Sequence, residues 1–541
     1  MTFTRRAFGA SFLSSLAACS IPTEQQVTIL RSCAAQREGP LTIDMHCHIM
    51  NSRDINAQAF VNRRVANTDE ISPTLDFGLG VLVGTALVPF ELFTKTANAE
   101  AEELAELIKS HDNEHTIFDF CDHANQDQRG FTFSDTDALK GDDGSRVTGF
   151  FSNRARNASL MAALWPEVDI FMPSIVDLYE EPSVESDTVQ RSEQPGDQAK
   201  FYKQLHLATL GRFLPMISFS PQRAWAEEKM HGKGYDPLHL VRKSIVDDGF
   251  VGVKLHPSSG FNPHSNGHFG CNNSALQATD WEPGQTDAYD EYLEKLFAFC
   301  DEKEVPIMTH GSDSRIANTA CSRRHDDPKE WTNSPYHWAE AVSRHEGLKV
   351  VLAHFASGFQ EQAKEDTKNW CNFGENGGLE PSHWLREALY AMGTEKGRNL
   401  YVDISDMTFL AESQASKGVW SGPGCGENGR YAQAFGRYMR QTQDSWRDAD
   451  GGRFHSRILY GTDYHMPSVA KIGNRYLPLI MDAIPYEAEE KADIRGRNAA
   501  KVYGLQRGGE NRKRLQKFYM DHGLSLDRIA WMQRVDDEVS A

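Results

Sequence analysis

The stretch Leu41-Thr42-Ile43-Asp44-Met45-His46-Cys47-His48-Ile49-Met50 decides how this chain is read. A short apolar run ends in two histidines one residue apart. In a β-strand, residues i and i+2 point to the same face, so the imidazoles of His46 and His48 converge while Cys47 turns to the opposite face and packs. Two converging neutral imidazoles near the end of a buried strand make half of a transition-metal site. The spacing alone carries little. With 20 histidines in 541 residues, chance supplies roughly one such pair. The weight falls on whether later strands bring the missing ligands.

Beyond about residue 165, apolar runs bounded by turn residues alternate with amphipathic helical stretches, the pattern of βα units and a parallel sheet. Strands are expected at 168–176, 213–219, 251–256, 305–310, 349–354, 400–404 and 457–462, with helical patterns at 287–303, 336–345, 383–392, 469–484 and 487–503. With the first strand there are eight. Eight βα units favour an α/β fold of the closed (β/α)8 TIM barrel type over an open doubly wound sheet. The barrel is expected over 41–508. A long insertion, 51–165, follows the first strand, and a charged, helical tail over 509–541 adds a C-terminal element. Within the insertion, 98–110 reads as an amphipathic helix. The apolar, glycine-rich run 77–93, interrupted by Pro89, reads as a buried hairpin or helix and falls short of a clean membrane span.

A net charge of −19 argues against nucleic acid as a partner and for solubility. No 20-to-50-residue repeat is visible. At the N-terminus, Thr4-Arg5-Arg6-Ala7-Phe8 places a twin arginine before a short, weakly apolar segment ending in Leu16-Ala17-Ala18-Cys19. This resembles a bacterial twin-arginine export signal joined to a lipoprotein cleavage box. It implies removal of residues 1–18, a lipid anchor at Cys19, a linker over 19–40 and a periplasm-facing lipoprotein attached to the membrane only through that anchor. The remaining eight cysteines are widely and irregularly spaced with no CxxC, so no cysteine-based zinc finger is expected.

In a barrel of this kind the site lies at the C-terminal ends of the strands. The fifth candidate strand ends Met308-Thr309-His310, the sixth ends Leu352-Ala353-His354, and the eighth ends Gly461-Thr462-Asp463. The fourth reads Gly252-Val253-Lys254-Leu255-His256-Pro257. A single histidine closing an apolar strand is more often a hydrogen-bonded structural residue. Histidines closing strands one, five and six, with an aspartate closing strand eight, are a joint coincidence and would face one small volume.

These segments resemble the amidohydrolase superfamily, in its amidohydrolase-related branch with aminocarboxymuconate semialdehyde decarboxylase. The matching pieces are IDMHCH at 43–48, GVKLHP at 252–257, VPIMTHG at 305–311, LKVVLAHFASG at 348–358 and RILYGTD at 457–463, supported by SPYHWA at 334–339 and RNAAKVYG at 497–504. The resemblance covers the first strand and about 165–505. It implies that His46, His48 and His310 bind one divalent metal, most often zinc, with Asp463 as further ligand or close partner. It implies too that Asp463 takes and returns the proton of the attacking water while His354 orients water or polarises a carbonyl. In binuclear members, a lysine at the position of Lys254 is carboxylated and bridges two metals, and His310 and His354 then hold the second ion. The one-metal arrangement is the expected one.

The implied activity is hydrolysis of a C–N or C–O bond in a small-molecule amide, lactone or ester. Non-oxidative decarboxylation at the same site, and a surface lipoprotein that keeps the barrel without catalysis, stay open. Long loops at 257–286, 311–335, 355–380 and 405–428 carry His264, His268, Arg315, Arg323, Arg324 and Trp420, none of which the sequence assigns to substrate. His264 and His268 stand four apart, but Pro263 and the Gly/Asn-rich context speak against a metal-binding helix. The substrate and the oligomeric state are not set by the sequence.

Overall fold

The computed structural model describes residues 39–51, 53–54, 94–110, 153–177, 193–232, 234–257, 261–267, 282–311, 333–357, 381–407, 410, 430–464 and 475–539. The export signal, Cys19, the 77–93 run, His268, Arg315, Arg323, Arg324 and Trp420 lie outside them. Among the described residues no helix is long and apolar enough to cross a membrane.

Eight short strands appear in chain order: β1 Ile43–Cys47, β2 Ile170–Pro173, β3 Met216–Phe219, β4 Gly252–Leu255, β5 Ile307–Thr309, β6 Val350–Leu352, β7 Leu400–Asp403 and β8 Ile458–Leu459. β2 to β8 each fall inside an expected strand, and β1 runs one residue past the expected Leu41–His46. All named pairings are parallel, β1 with β2 and then β3 through β8 in sequence. Two gaps in these ladders are closed by single bonds. Between β2 and β3, Phe171 pairs with Phe213 and Ser174 with Met216. Between β8 and β1, Met45 N donates to Tyr460 O at 3.1 Å, and Thr462 N and Asp463 N both donate to His46 O, at 3.1 and 2.7 Å. The sheet therefore returns to its first strand, and the fold is a (β/α)8 barrel.

The helices are α1 Ala97–Ser110 and α2 Arg154–Leu164 in the insertion, then α3 Pro195–Ala208, α4 Pro221–His231, α5 His239–Val246, α6 Gln285–Glu302, α7 Pro335–Arg344, α8 His383–Met392, α9 Arg430–Ser445 and α10 Tyr476–Ala483. After these, α11 Ala488–Ala492 runs through a π-helical turn, Asp493–Arg497, into α12 Asn498–Val502. The tail holds α13 Glu510–Asp521 and α14 Ala530–Glu538. Local sequence explains several starts. Ser220, Ser334 and Ser382 cap α4, α7 and α8 by accepting a backbone N–H, and α4 and α7 place proline in the first turn. Leu296 of α6, Trp338 of α7 and Leu385 of α8 are buried in one apolar cluster with Val253, Ile307, Val350 and Val402 of the strands.

The insertion is tied down by a buried cation. Arg154 reaches Asp54 (Nε–Oδ2 2.9 Å), Glu100 (NH1–Oε2 2.8 Å) and Glu193, so α1 and α2 are locked to the segment leaving β1. The tail grips the opposite end of the barrel. Asn511 donates to Val251 O at 2.7 Å, Arg514 to Lys303 O at 2.6 Å and Arg534 to Gly39 O at 2.8 Å, while Glu538 accepts from Leu41 N at 3.4 Å. Each of these partners lies just before a strand. A second apolar cluster runs from Met216, Met308, Val351 and Leu459 to Tyr503, Tyr519 and Trp531. The tail thus floors the barrel and leaves the strand C-termini as the functional face.

Candidate metal centre

Period two places Asp44 and His46 in one row of β1, and His48 follows directly after the strand. His46 is wholly buried and His48 nearly so. Their donor atoms and a carboxylate oxygen of Asp463 all lie within 4.8 Å of one another, with His48 Nε2 3.6 Å from Asp463 Oδ1. The Nδ1 atoms are already engaged. His46 Nδ1 meets Asp403 Oδ2 at 2.8 Å, and His48 Nδ1 meets the carbonyl of Ser174 at 3.2 Å and its Oγ at 3.0 Å. Both Nε2 atoms are therefore turned away from these anchors, the arrangement by which a second layer of partners orients metal-ligating histidines. Burial holds His46 neutral, its pKa well below the usual histidine range, and takes His48 down to about 3. Neutral imidazole is the form that ligates. The donor set of two neutral imidazoles and a carboxylate fits a zinc-type divalent ion.

His354 stands on the other side of Asp463, Nδ1 to Oδ2 3.9 Å, and with Asp406 and Asp463 forms an overlapping group of donors within 4.8 Å. Its Nε2 is 3.0 Å from His310 Nδ1. His310 Nδ1 thus lies against His354, and His310 is not in the donor group that joins His46, His48 and Asp463 within 4.8 Å. Lys254 is wholly buried, its Nζ 3.3 Å from His46 Nε2. Burial lowers its pKa to about 8 against the pull of Asp403 and Asp463. A charged ammonium there competes with a metal ion for the same nitrogen lone pair.

The backbone is strained at three of these candidate donors. His354 (φ 59°), Asp406 (φ 53°) and Asp463 (φ 50°) all occupy the left-handed region without being glycine, at a cost of about 1–3 kcal/mol each. Gly461 admits this geometry. A Cβ there would sit 2.7 Å from His46 Cβ, so only glycine lets β8 come this close to β1.

Asp403, Asp44, Ser174 and Ser405 are functional neighbours that reading the strand ends for histidines passes over. Asp403 Oδ1 accepts from His354 N at 2.9 Å, Ser405 N at 3.0 Å and Ser405 Oγ at 2.6 Å. Asp44, its pKa raised by burial to about 7, accepts from Thr462 N at 2.9 Å and Thr462 Oγ1 at 2.7 Å and clamps β1 to β8. A signal existed for both aspartates. Asp44 is two residues before His46 on the same strand face, and Asp403 closes an apolar strand as Asp463 does.

A parallel eight-stranded barrel with His, Asp and Lys side chains gathered at its strand C-termini has the architecture of a barrel enzyme with candidate metal ligands. The chain belongs to the amidohydrolase family, whose model matches residues 234–505, half of the chain. The match spans Lys254, His310, His354, Asp403 and Asp463, while His46 and His48 precede it. No curated protein matches the sequence.

Solved structures similar to this chain include 2,6-dihydroxybenzoate decarboxylase from Rhizobium, at 12% identity over 69% of this chain and 95% of that one, TM-score 0.34. Another is 5-carboxyvanillate decarboxylase from Novosphingobium aromaticivorans, complexed with manganese, at 13% identity over 64% and 79%, TM-score 0.32. A third is 4-oxalomesaconate hydratase from Rhodopseudomonas palustris, at 14% identity over 89% and 99%, TM-score 0.35.

Proposed function

We propose that this chain is a metal-dependent hydrolase that directs water onto a C–N or C–O bond of a small-molecule amide, lactone or ester. The observation that carries this reading is the meeting of His46, His48 and Asp463 donors within 4.8 Å, with both Nδ1 atoms anchored. A divalent ion of the zinc class held there supplies Lewis acidity toward water and the substrate carbonyl. Asp463 accepts the proton of the attacking water and returns it to the leaving nitrogen or oxygen, while the acyl carbon keeps the hydroxyl. His354 steadies the Asp463 carboxylate and faces the substrate oxygen. In the one-metal form His310 would join His46, His48 and Asp463 in holding the ion; in a two-metal form His310, His354 and a carboxylated Lys254 would hold the second.

A second reading, non-oxidative decarboxylation, is favoured by Lys254, which sets a buried cation beside His46 where a substrate carboxylate finds a partner. Metal analysis of purified protein tests the shared premise. Less than about 0.2 equivalents of any divalent metal after zinc or manganese supplementation sinks both readings and leaves a barrel-bearing lipoprotein without this chemistry. His48→Ala is expected to remove the metal held between His46, His48 and Asp463, and turnover with it. A panel of amides, lactones, esters and carboxylated aromatics then separates hydrolysis from decarboxylation.

The proposed setting is the periplasmic face of a bacterial membrane, from the twin arginine at Arg5 and Arg6 and the lipid-attachment Cys19. Cys19→Ala is expected to move the mature protein from the membrane to the soluble fraction. Unchanged fractionation would refute the anchor.

A further inference from the structure

A second set of metal-type donors lies outside this centre. The segment 261–267 follows β4, and α7 precedes β6. His337 and Glu340 are i and i+3 on α7 and so share a face. Donor atoms of His264, His337 and Glu340 all lie within 4.8 Å of one another. His264 Nε2 is 3.1 Å from Glu340 Oε2, yet it is buried and makes no hydrogen bond. The nitrogen and the oxygen are close without being aligned as donor and acceptor. That separation is near the roughly 3.3 Å edge of a tetrahedron whose metal–ligand bonds are about 2.0 Å.

The loop is built to hold His264 where it stands. Asn262 N donates to Asn266 Oδ1 at 2.8 Å, and Asn266 Nδ2 donates to Asn262 O at 3.0 Å and to Asp290 Oδ1 at 2.7 Å. Ser265 Oγ sits 2.9 Å from His264 Nδ1, engaging that nitrogen and leaving Nε2 to face Glu340. His337 is buried, whereas the Glu340 side chain is 31% exposed, so the group opens toward solvent on one side and has room for a water as fourth ligand.

We propose that His264, His337 and Glu340 form a second divalent-metal site of zinc type, structural in role, at the rim of the barrel. It shares no residue with the first centre but is joined to it through Asn333, whose N donates to Asn262 Oδ1 and whose Nδ2 donates to His310 O at 3.1 Å. A bound ion would pin the loop after β4 to α7 and brace the end of β5 that carries His310.

The test is zinc stoichiometry on the full chain after loading and exhaustive dialysis, read with thermal melting. His264→Ala combined with Glu340→Gln, both at partly exposed side chains, is expected to lose about one equivalent relative to the native chain and the matching part of the zinc-induced rise in melting temperature. His46→Ala combined with His48→Ala is expected to retain about one equivalent, which adding His264→Ala removes. The proposal is overturned if the His264/Glu340 variant carries as much zinc as the native chain. It is overturned equally if the His46/His48 variant, folded by circular dichroism, carries none.

Discussion

Asp403 Oδ2 lies 2.8 Å from His46 Nδ1 with both side chains wholly buried, and Oδ1 of the same carboxylate holds the backbone amide of His354 at 2.9 Å. One side chain at the end of β7 thus orients the imidazole of His46 on β1 and sets the placement of the histidine that follows β6. Asp403→Asn keeps the shape but loses the acceptor for His46 Nδ1. Metal affinity is expected to fall about 10–100-fold with the circular dichroism spectrum unchanged. Competition against a chelating dye measures it, and an unaltered affinity would remove Asp403 from the centre.

Lys254 distinguishes one metal from two. In the one-metal form its ammonium repels the ion at His46, so Lys254→Met is expected to tighten zinc binding by about tenfold or more, given the Coulomb energy of charges a few ångströms apart at an effective dielectric near 20. A variant that instead loses one equivalent relative to the native chain, with bicarbonate raising the native content, identifies a bridging carboxylated lysine.

His206 on α3 is buried against Phe518 and bonded through Nε2 to Tyr519 Oη at 2.7 Å. Burial depresses its pKa from 6.5 to about 3. The folded state holds it neutral while the unfolded chain protonates it below pH 6.5, so its contribution to stability is full above that pH. It is lost as pH falls toward 3, at up to about 1.4 kcal/mol per pH unit. Urea melts of the native chain and His206→Gln between pH 7 and pH 4 are expected to show a shallower acid decline in the variant. Parallel declines would refute the assignment.

Gly249 has a φ of 77°, and a Cβ on it would sit 2.7 Å from the Phe518 ring. Gly249→Ala therefore combines a left-handed backbone with a clash against α13. A loss of about 2–4 kcal/mol is expected, together with faster proteolysis of the tail. Native-like stability would show that the tail gives way at no cost.

The barrel was legible in the sequence because buried parallel strands are near-continuous apolar runs and their helices keep the 3.6 period. Seven of the expected strands contain the observed ones, and β1 runs one residue past the expected Leu41–His46. At the centre, His46, His48, Asp463, His354 and Lys254 could be read from strand ends, where side chains of the same row face the axis. His310 shows the limit. It follows β5 directly, as the strand end implies, and its ring meets His354, a contact that sequence alone does not give. Ser174 and Ser405 were hidden for the same reason. Glu340 sits on a helix among ordinary surface charges, and only folding brings it to His264.

The grip of the C-terminal helices on the residues before β1, β2, β4 and β5 sets an order of events during synthesis. Glu538 meets the Leu41 amide across 497 residues of chain, and Arg534 reaches both Gly39 and Asp169. The first strand must therefore wait for nearly the whole polypeptide before its near end is sealed. Until then the inward-facing Met216, Met308 and Val351 lack their cover. Without the tail the barrel is a ring with an unfastened clasp, its apolar end open to chaperones and to misassembly.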